Sequence, residues 1–79
     1  MAQVSVRYWA GARAAAGTDE ERLLAGSTDD VVAALTDRGG ELARVVALSS
    51  LLVDGRVVRD SVALTDGQVV EVLPPFAGG

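Results

Sequence analysis

The first residues alternate between polar and apolar side chains. Val4, Val6 and Tyr8 recur at every second position between polar neighbours, which is the period of a β-strand with one buried face. The same alternation sends Trp9 to the opposite face. We therefore predict a first strand over 3–8 whose valines and tyrosine face the core.

Two short elements are predicted next. Alanines and one arginine lie between Gly11 and Gly17, and this composition predicts a short helix that ends at a left-handed Gly17. The segment 21–24 is β-prone and is expected to return antiparallel to the first strand. The pattern thus predicts strand, helix and strand within the first 25 residues.

A longer helix is predicted to begin after Ser27. The Ser27 hydroxyl can cap a helix, and two acidic residues follow in the first turn, where the helix dipole favours negative charge. Apolar residues continue at helical spacing until the glycine pair 39–40 stops the run. The segment 42–46 also fits one helical face, but its two adjacent valines favour helix weakly. It is predicted as a short helix or an irregular connection.

The remaining strands are separated by Asp-Gly turns. The pair 54–55 lies between two β-prone runs and favours a tight hairpin. The pair 66–67 predicts a further turn before a last strand over 68–73, in which Val70 and Val72 face the core. One main helix packed across a small mixed sheet accounts for this order, so we predict a two-layer α+β domain.

Composition excludes most enzyme chemistry. The 79 residues include no Cys and no His, and all seven basic residues are Arg. Thiol and histidine catalysis, Schiff-base lysines and the usual zinc, copper and iron ligands are therefore excluded, and no metal site is predicted. Carboxylates, hydroxyls and the chain ends remain as reactive groups.

Charge and hydropathy argue against two classes of partner. A net charge of −4 is unfavourable for binding a phosphate backbone, so no nucleic acid is expected. No uncharged apolar run approaches the length of a membrane span, and Arg7 interrupts the region where a signal peptide would be apolar. We expect a cytoplasmic protein with no membrane partner.

The segment after the last strand carries the candidate chemistry. The proline pair 74–75 cannot donate ladder hydrogen bonds and favours an extended conformation. Gly78 and Gly79 lack side chains, so they can enter a slot too narrow for other residues, and the terminal carboxylate is ionised at neutral pH. We expect a folded domain over 1–73 and a flexible functional tail over 74–79.

Three blocks of sequence resemble the small subunit of molybdopterin synthase, a family of ubiquitin-like sulfur carriers with the β-grasp fold. They are the segments 6–17, 64–68 and 73–79. The Pro-Pro-x-x-Gly-Gly ending together with the first-strand block is much more specific than Gly-Gly alone. Trp9 is a departure, since the family more often has Phe there, but it preserves an aromatic surface.

The resemblance implies chemistry at Gly79. An ATP-dependent adenylating enzyme of the ubiquitin-activating type would convert the Gly79 carboxylate to an adenylate, and a sulfur donor enzyme would supply the sulfur of a thiocarboxylate. The large synthase subunit would then accept the tail, and the sulfur would pass to a pterin precursor of the molybdenum cofactor. The chain itself would bind no cofactor and act as a non-catalytic co-substrate.

Two alternatives stay open. One is a sulfur carrier for thiazole (thiamine) or cysteine biosynthesis, because such carriers share the fold and the glycine ending. The other, from a different class, is a ubiquitin-like protein-binding module whose tail is incidental.

Outward-facing apolar residues predict where a partner docks. Alternation in the first and last strands leaves several large apolar side chains on the face opposite the helix, and such clusters usually mark interfaces. Gly78 and Gly79 are the expected reaction site. The expected partner-binding residues are Trp9, Val57, Val69, Leu73, Pro74, Pro75, Phe76 and Ala77.

Overall fold

The computed structural model describes residues 1–75, which form a five-stranded mixed sheet with three helices packed on one face. In chain order the elements are β1 (Ala2–Tyr8), α1 (Gly11–Ala16), β2 (Glu20–Ala25), α2 (Thr28–Thr36), α3 (Gly40–Leu48), β3 (Ser50–Val53), β4 (Arg56–Val58) and β5 (Val69–Leu73). The strand order is β2-β1-β5-β3-β4. β1 and β5 are parallel neighbours, and the other pairs are antiparallel. The predicted α+β class is confirmed.

The core is centred on the two parallel strands. Val6 pairs with Val70 and Tyr8 with Val72, and each of these four side chains is at most 1% exposed. Partners in a β-ladder lie on the same face of the sheet, so the pairs form two adjacent buried rows. The alternation predicted for β1 and β5 is confirmed.

The start of α2 holds a neighbouring loop in place. The Ser27 hydroxyl accepts the Asp30 N–H (3.2 Å), and the Asp30 carboxylate accepts the Gly26 N–H (2.9 Å). Thr28 is buried, and its hydroxyl accepts the Val62 N–H at 3.0 Å. The predicted N-cap is therefore present, and the residue after it also satisfies the backbone of the loop before β5.

The helical layer is larger than the pattern predicts. The sequence predicts one main helix, whereas α3 has nine residues, as many as α2. Leu42 and Val46 are buried one turn apart on α3, and this burial outweighs the weak helix propensity of the Val45-Val46 pair. No helix in the described part of the chain is long and apolar enough to span a bilayer.

The Asp54-Gly55 turn forms as predicted and is tied to the last strand. Both residues have positive φ, 48° and 84°, as a tight hairpin of this type requires. The Asp54 carboxylate accepts the Val69 N–H at 3.0 Å and the side-chain amide of Gln68 at 3.1 Å. The Val69 hydrogen bond, followed by that of Gln68, lowers the pKa of the Asp54 carboxyl. One carboxylate thus joins the β3–β4 turn to the start of β5.

A polar cluster links the two layers. The Tyr8 hydroxyl donates to Glu21 at 2.7 Å, and the Arg38 guanidinium binds both oxygens of the same carboxylate. The hydrogen bonds from Arg38 lower the pKa of the Glu21 carboxyl, and the Tyr8 hydroxyl acts in the same direction. Burial and the Glu21 hydrogen bond raise the pKa of the Tyr8 phenol. The cluster fixes the chain just after α2 against β1 and β2.

We expect Arg38→Met to lower the free energy of unfolding by about 1 kcal/mol at neutral pH, because Glu21 loses its two charged hydrogen bonds while partial exposure of the pair keeps the loss small. The pKa of Glu21 in the folded protein lies below its ordinary 4.5. The contribution of this ion pair to stability is therefore fully present above the ordinary pKa of 4.5 and is lost as the pH falls through the lower pKa of the folded protein. Urea unfolding of wild type and variant should show a gap at neutral pH that shrinks in acid.

Arg44→Met is the matched control for this experiment. Arg44 lies 3.8 Å from Glu41 in an exposed pair, so its loss should change the unfolding free energy by less than about 0.5 kcal/mol. Equal effects of the two substitutions, or a gap for Arg38→Met that widens in acid, would contradict the assigned role of the cluster.

Candidate functional site

The face of the sheet opposite the helices carries a row of side chains from four strands. Arg7 pairs with Glu71, Glu71 with Leu52, and Leu52 with Val57. Since direct partners share a face, these four residues run side by side across the outer surface. The row is charged over β1 and β5 and apolar over β3 and β4.

A second group lies at the end of the sheet where β1 and β5 finish. The Trp9 N–H donates to the Val72 carbonyl at 3.2 Å, and the indole N–H donates to the Glu71 carboxylate at 2.8 Å. Trp9 is 39% exposed, and Leu73 is half-buried on the same face. The indole therefore lies over the last strand close to the point where the tail begins.

Together these residues form an apolar surface, which we call the outer patch. Its members are Trp9, Leu52, Val57, Val69 and Leu73. Val69 is half-buried and pairs with Ser5, and Val57 is 55% exposed. Trp9, Val57, Val69 and Leu73 face outward, as the sequence predicts. Their role in partner binding stays a prediction.

Leu52 is the one member of the outer patch that the alternation of polar and apolar residues does not predict. The two-residue turn at Asp54 and Gly55 sets the register of the hairpin, and that register pairs Leu52 with Val57. An outward Val57 therefore requires an outward Leu52. The outward position of Leu52 can therefore be inferred from the two-residue length of the turn.

Each residue of the acidic run 19–21, at the start of β2, forms an ion pair with a different arginine. Asp19 pairs with Arg13 at 3.1 Å and Glu20 with Arg7 at 3.0 Å, whereas Glu21 belongs to the cluster with Arg38. Alternation along β2 places the two glutamates on opposite faces of the sheet. Within residues 1–75, no three acidic, cysteine or histidine side chains converge as a metal site would require.

The described chain ends at the root of the tail. β5 finishes at Leu73, Pro74 is buried, and Pro75 is exposed. The strand thus ends where the sequence predicts, directly before the prolines. The predictions for Phe76, Ala77, Gly78 and Gly79 fall outside the described residues.

Residues 6–79 match the family described as the ThiS family. The chain belongs to the ThiS family. It is thus a ubiquitin-like protein of the sulfur-carrier type, and the two-layer arrangement is the β-grasp fold. No curated protein sequence matches the chain significantly.

Solved structures agree with the ThiS-family assignment. A putative subunit 1 of the molybdopterin converting factor from Pyrococcus furiosus is 31% identical, with 95% of this chain and 99% of that chain covered and a TM-score of 0.83. Small archaeal modifier protein 1 from Methanosarcina acetivorans is 30% identical, with coverages of 100% and 98% and a TM-score of 0.85. A complex of subunits 1 and 2 of the molybdopterin-converting factor from Helicobacter pylori includes a chain that shares the fold at 20% identity (TM-score 0.78, coverages 98% and 99%).

Neighbouring residues of β5 test the assignment of the two faces. Val72 is fully buried and Leu73 lies on the outer patch. Val72→Asp places an unpaired charge in the core and should lower stability by about 4 kcal/mol, enough to unfold a domain of this size. Leu73→Asp should cost only about 1.5 kcal/mol and leave the domain folded. Thermal unfolding followed by circular dichroism distinguishes them, and unfolding of both variants at room temperature would contradict the assignment.

Proposed function

We propose that this chain carries sulfur on the carboxyl group of Gly79 and delivers it in molybdopterin synthesis, as the small subunit of the synthase. The observation that supports this most strongly is the Pro-Pro-x-x-Gly-Gly sequence of 74–79, which comes directly after the last strand of a ThiS-family domain, a strand whose last residue, Leu73, belongs to the outer patch. The similarity to the Pyrococcus furiosus subunit over 95% of this chain favours the molybdopterin pathway.

The chemistry proposed for Gly79 has two steps. In the first, the carboxylate oxygen attacks the α-phosphorus of ATP on the adenylating enzyme, which forms the glycyl-adenylate and releases pyrophosphate. In the second, hydrosulfide supplied by the sulfur donor enzyme attacks the activated carbonyl carbon, so that a C–S bond forms while the C–O bond to AMP breaks and AMP leaves. The resulting thiocarboxylate presents a sulfur atom that is more nucleophilic than the oxygen it replaces.

This chain contributes a carrier group and no catalytic side chain. The ionised carboxylate resists attack until it is activated, and a sequence without Cys or His leaves the activating groups to the partner enzymes. Gly78 and Gly79 have no side chains to obstruct a narrow cleft. The folded domain then serves to direct the terminus into that cleft.

The large subunit is the partner proposed for the outer patch. The Helicobacter pylori relative forms a complex between subunits 1 and 2, and a corresponding partner here would cover an apolar surface beside the tail. Trp9 is well suited as an anchor, because it combines a large apolar ring with an indole N–H already satisfied by Glu71. Burial of the patch would hold the root of the tail at the mouth of the cleft.

Protein modification is a second candidate function. The similarity to small archaeal modifier protein 1 extends over the whole of this chain at 30% identity. The same adenylate would then be attacked by an amine of a target protein instead of sulfur. Carriers for thiazole or cysteine biosynthesis stay open as well, and all of these functions require the same activated Gly79.

The terminal mechanism predicts a strict requirement for Gly79. Deletion of Gly79, or addition of one alanine after it, should abolish adenylation because the reacting carboxyl group is displaced along the cleft. ATP–pyrophosphate exchange with the adenylating enzyme measures this step, and unchanged circular dichroism serves as the control for folding. Exchange at the wild-type rate by an extended chain that has not been trimmed would contradict the mechanism.

The outer patch predicts which substitutions weaken binding to the large subunit. Trp9→Asp and Leu73→Asp should each reduce affinity by about 2 kcal/mol, as expected for an interface anchor, which corresponds to roughly a thirtyfold rise in Kd. Leu24→Asp is the matched control, because Leu24 is exposed at the far end of the sheet. Isothermal titration calorimetry provides the measurement. Normal binding by both patch variants would exclude the patch as the docking surface.

A further inference from the structure

A second apolar surface lies at the root of the tail, on the helix side of the sheet. We call it the root groove. It is lined by Ala10, Gly11, Val45, Leu48, Pro74 and Pro75. None of these side chains is charged or polar. Leu48 is the last residue of α3 and is 66% exposed, which leaves a large apolar side chain on the surface without cover from the described part of the chain.

The turn between β1 and α1 forms one part of this groove. Ala10 has φ 47° and ψ −125°, a combination that is strained for a residue with a side chain. It turns the chain abruptly from Trp9 into α1. Gly11 follows, and a Cβ built at this position would meet no atom within 4 Å. The sharp turn thus brings Gly11, which has no side chain, into the lining of the groove.

The length of the tail limits how far from this groove an enzyme that acts on Gly79 can lie. Gly79 follows Pro75 by four residues, which span at most about 14 Å even when fully extended. An enzyme that acts on the Gly79 carboxyl group must therefore bring its cleft within that distance of Pro75. The rim of the cleft then meets the surface around Pro75, which consists of the root groove on one side and of Trp9 and Leu73 on the other.

We propose that the root groove receives an apolar side chain from the rim of the large-subunit cleft, so that the partner grips the root of the tail from both faces of the sheet. The inference rests on the proposed function, which supplies the partner and the reaction at Gly79. The occupant is apolar because a polar group would lose its water there and gain no hydrogen-bonding side chain in return. The groove thus extends the docking surface beyond the outer patch.

Two leucines of nearly equal exposure provide the test. Leu48 is 66% and Leu24 is 65% exposed. Leu24 pairs with Gln3 near the start of β1, about 20 Å along the strand from Trp9. Leu48→Gln should raise the Kd for the large subunit about fivefold or more, as expected when a buried leucine contact is lost. Leu24→Gln should leave the Kd unchanged, and both variants should keep the wild-type unfolding midpoint.

A second variant changes Gly11, another residue that lines the groove. A Cβ at this position meets no atom within 4 Å, so Gly11→Leu should leave the domain folded while it adds bulk at the groove. This variant should also raise the Kd about fivefold or more, on the same basis. Wild-type affinity in both Leu48→Gln and Gly11→Leu would overturn the role of the groove and leave the proposed function standing. Failure of the wild-type protein itself to bind the large subunit would overturn both.

Discussion

The parallel pairing of β1 with β5 determines the positions of Trp9, Val69 and Leu73 in the outer patch and of the point where the tail begins. Val6 and Val70, and Tyr8 and Val72, are buried as facing pairs at the centre of the sheet. Because side chains alternate along a strand, burial of these residues forces their neighbours to the other face. A shift of one residue in this register would bury Glu71 and expose the core valines. The same pairing brings the C-terminal ends of both strands to one end of the sheet. There Trp9 leads into α1 and Leu73 leads into the prolines.

The domain gains its stability from one face of the sheet and keeps the other available. The helices cover the valine core, and the cluster of Tyr8, Glu21 and Arg38 fixes the helical layer from the same side. On the outer face, Arg7 with Glu20 and Trp9 with Glu71 satisfy the polar groups beside the outer patch. A partner can therefore cover the patch and bury these polar groups without leaving them unpaired.

Local patterns predicted much of this architecture. Alternation identified the buried faces of β1 and β5, the Asp-Gly pair identified the hairpin, and Ser27 identified the start of α2, because each feature depends on neighbours in sequence. The extent of α3 was underdetermined, since Val45 and Val46 favour helix only once their surroundings bury that face. The carboxylate of Glu21 was similarly beyond prediction, because its partners are 13 and 17 residues away.

The candidate site likewise has parts that the sequence predicts and a part that only the structure shows. The sequence and its family resemblance predict Gly78 and Gly79 as the reaction site. The alternation of side chains along β1 predicts the outward position of Trp9. The root groove required the structure, because it joins the turn after β1, the end of α3 and the proline pair, three segments that no periodicity relates. Its strained residue, Ala10, has no signature in the sequence.

The central claim is that Gly79 becomes a thiocarboxylate, and intact-mass spectrometry of the wild-type protein tests it most directly. The protein is incubated with ATP, the adenylating enzyme and a sulfur donor, with a parallel sample that lacks ATP. The account predicts an ATP-dependent mass gain equal to the replacement of one oxygen by one sulfur, and fragmentation should locate that gain at Gly79. An unchanged mass with active partner enzymes, or a gain located elsewhere in the chain, would contradict the account.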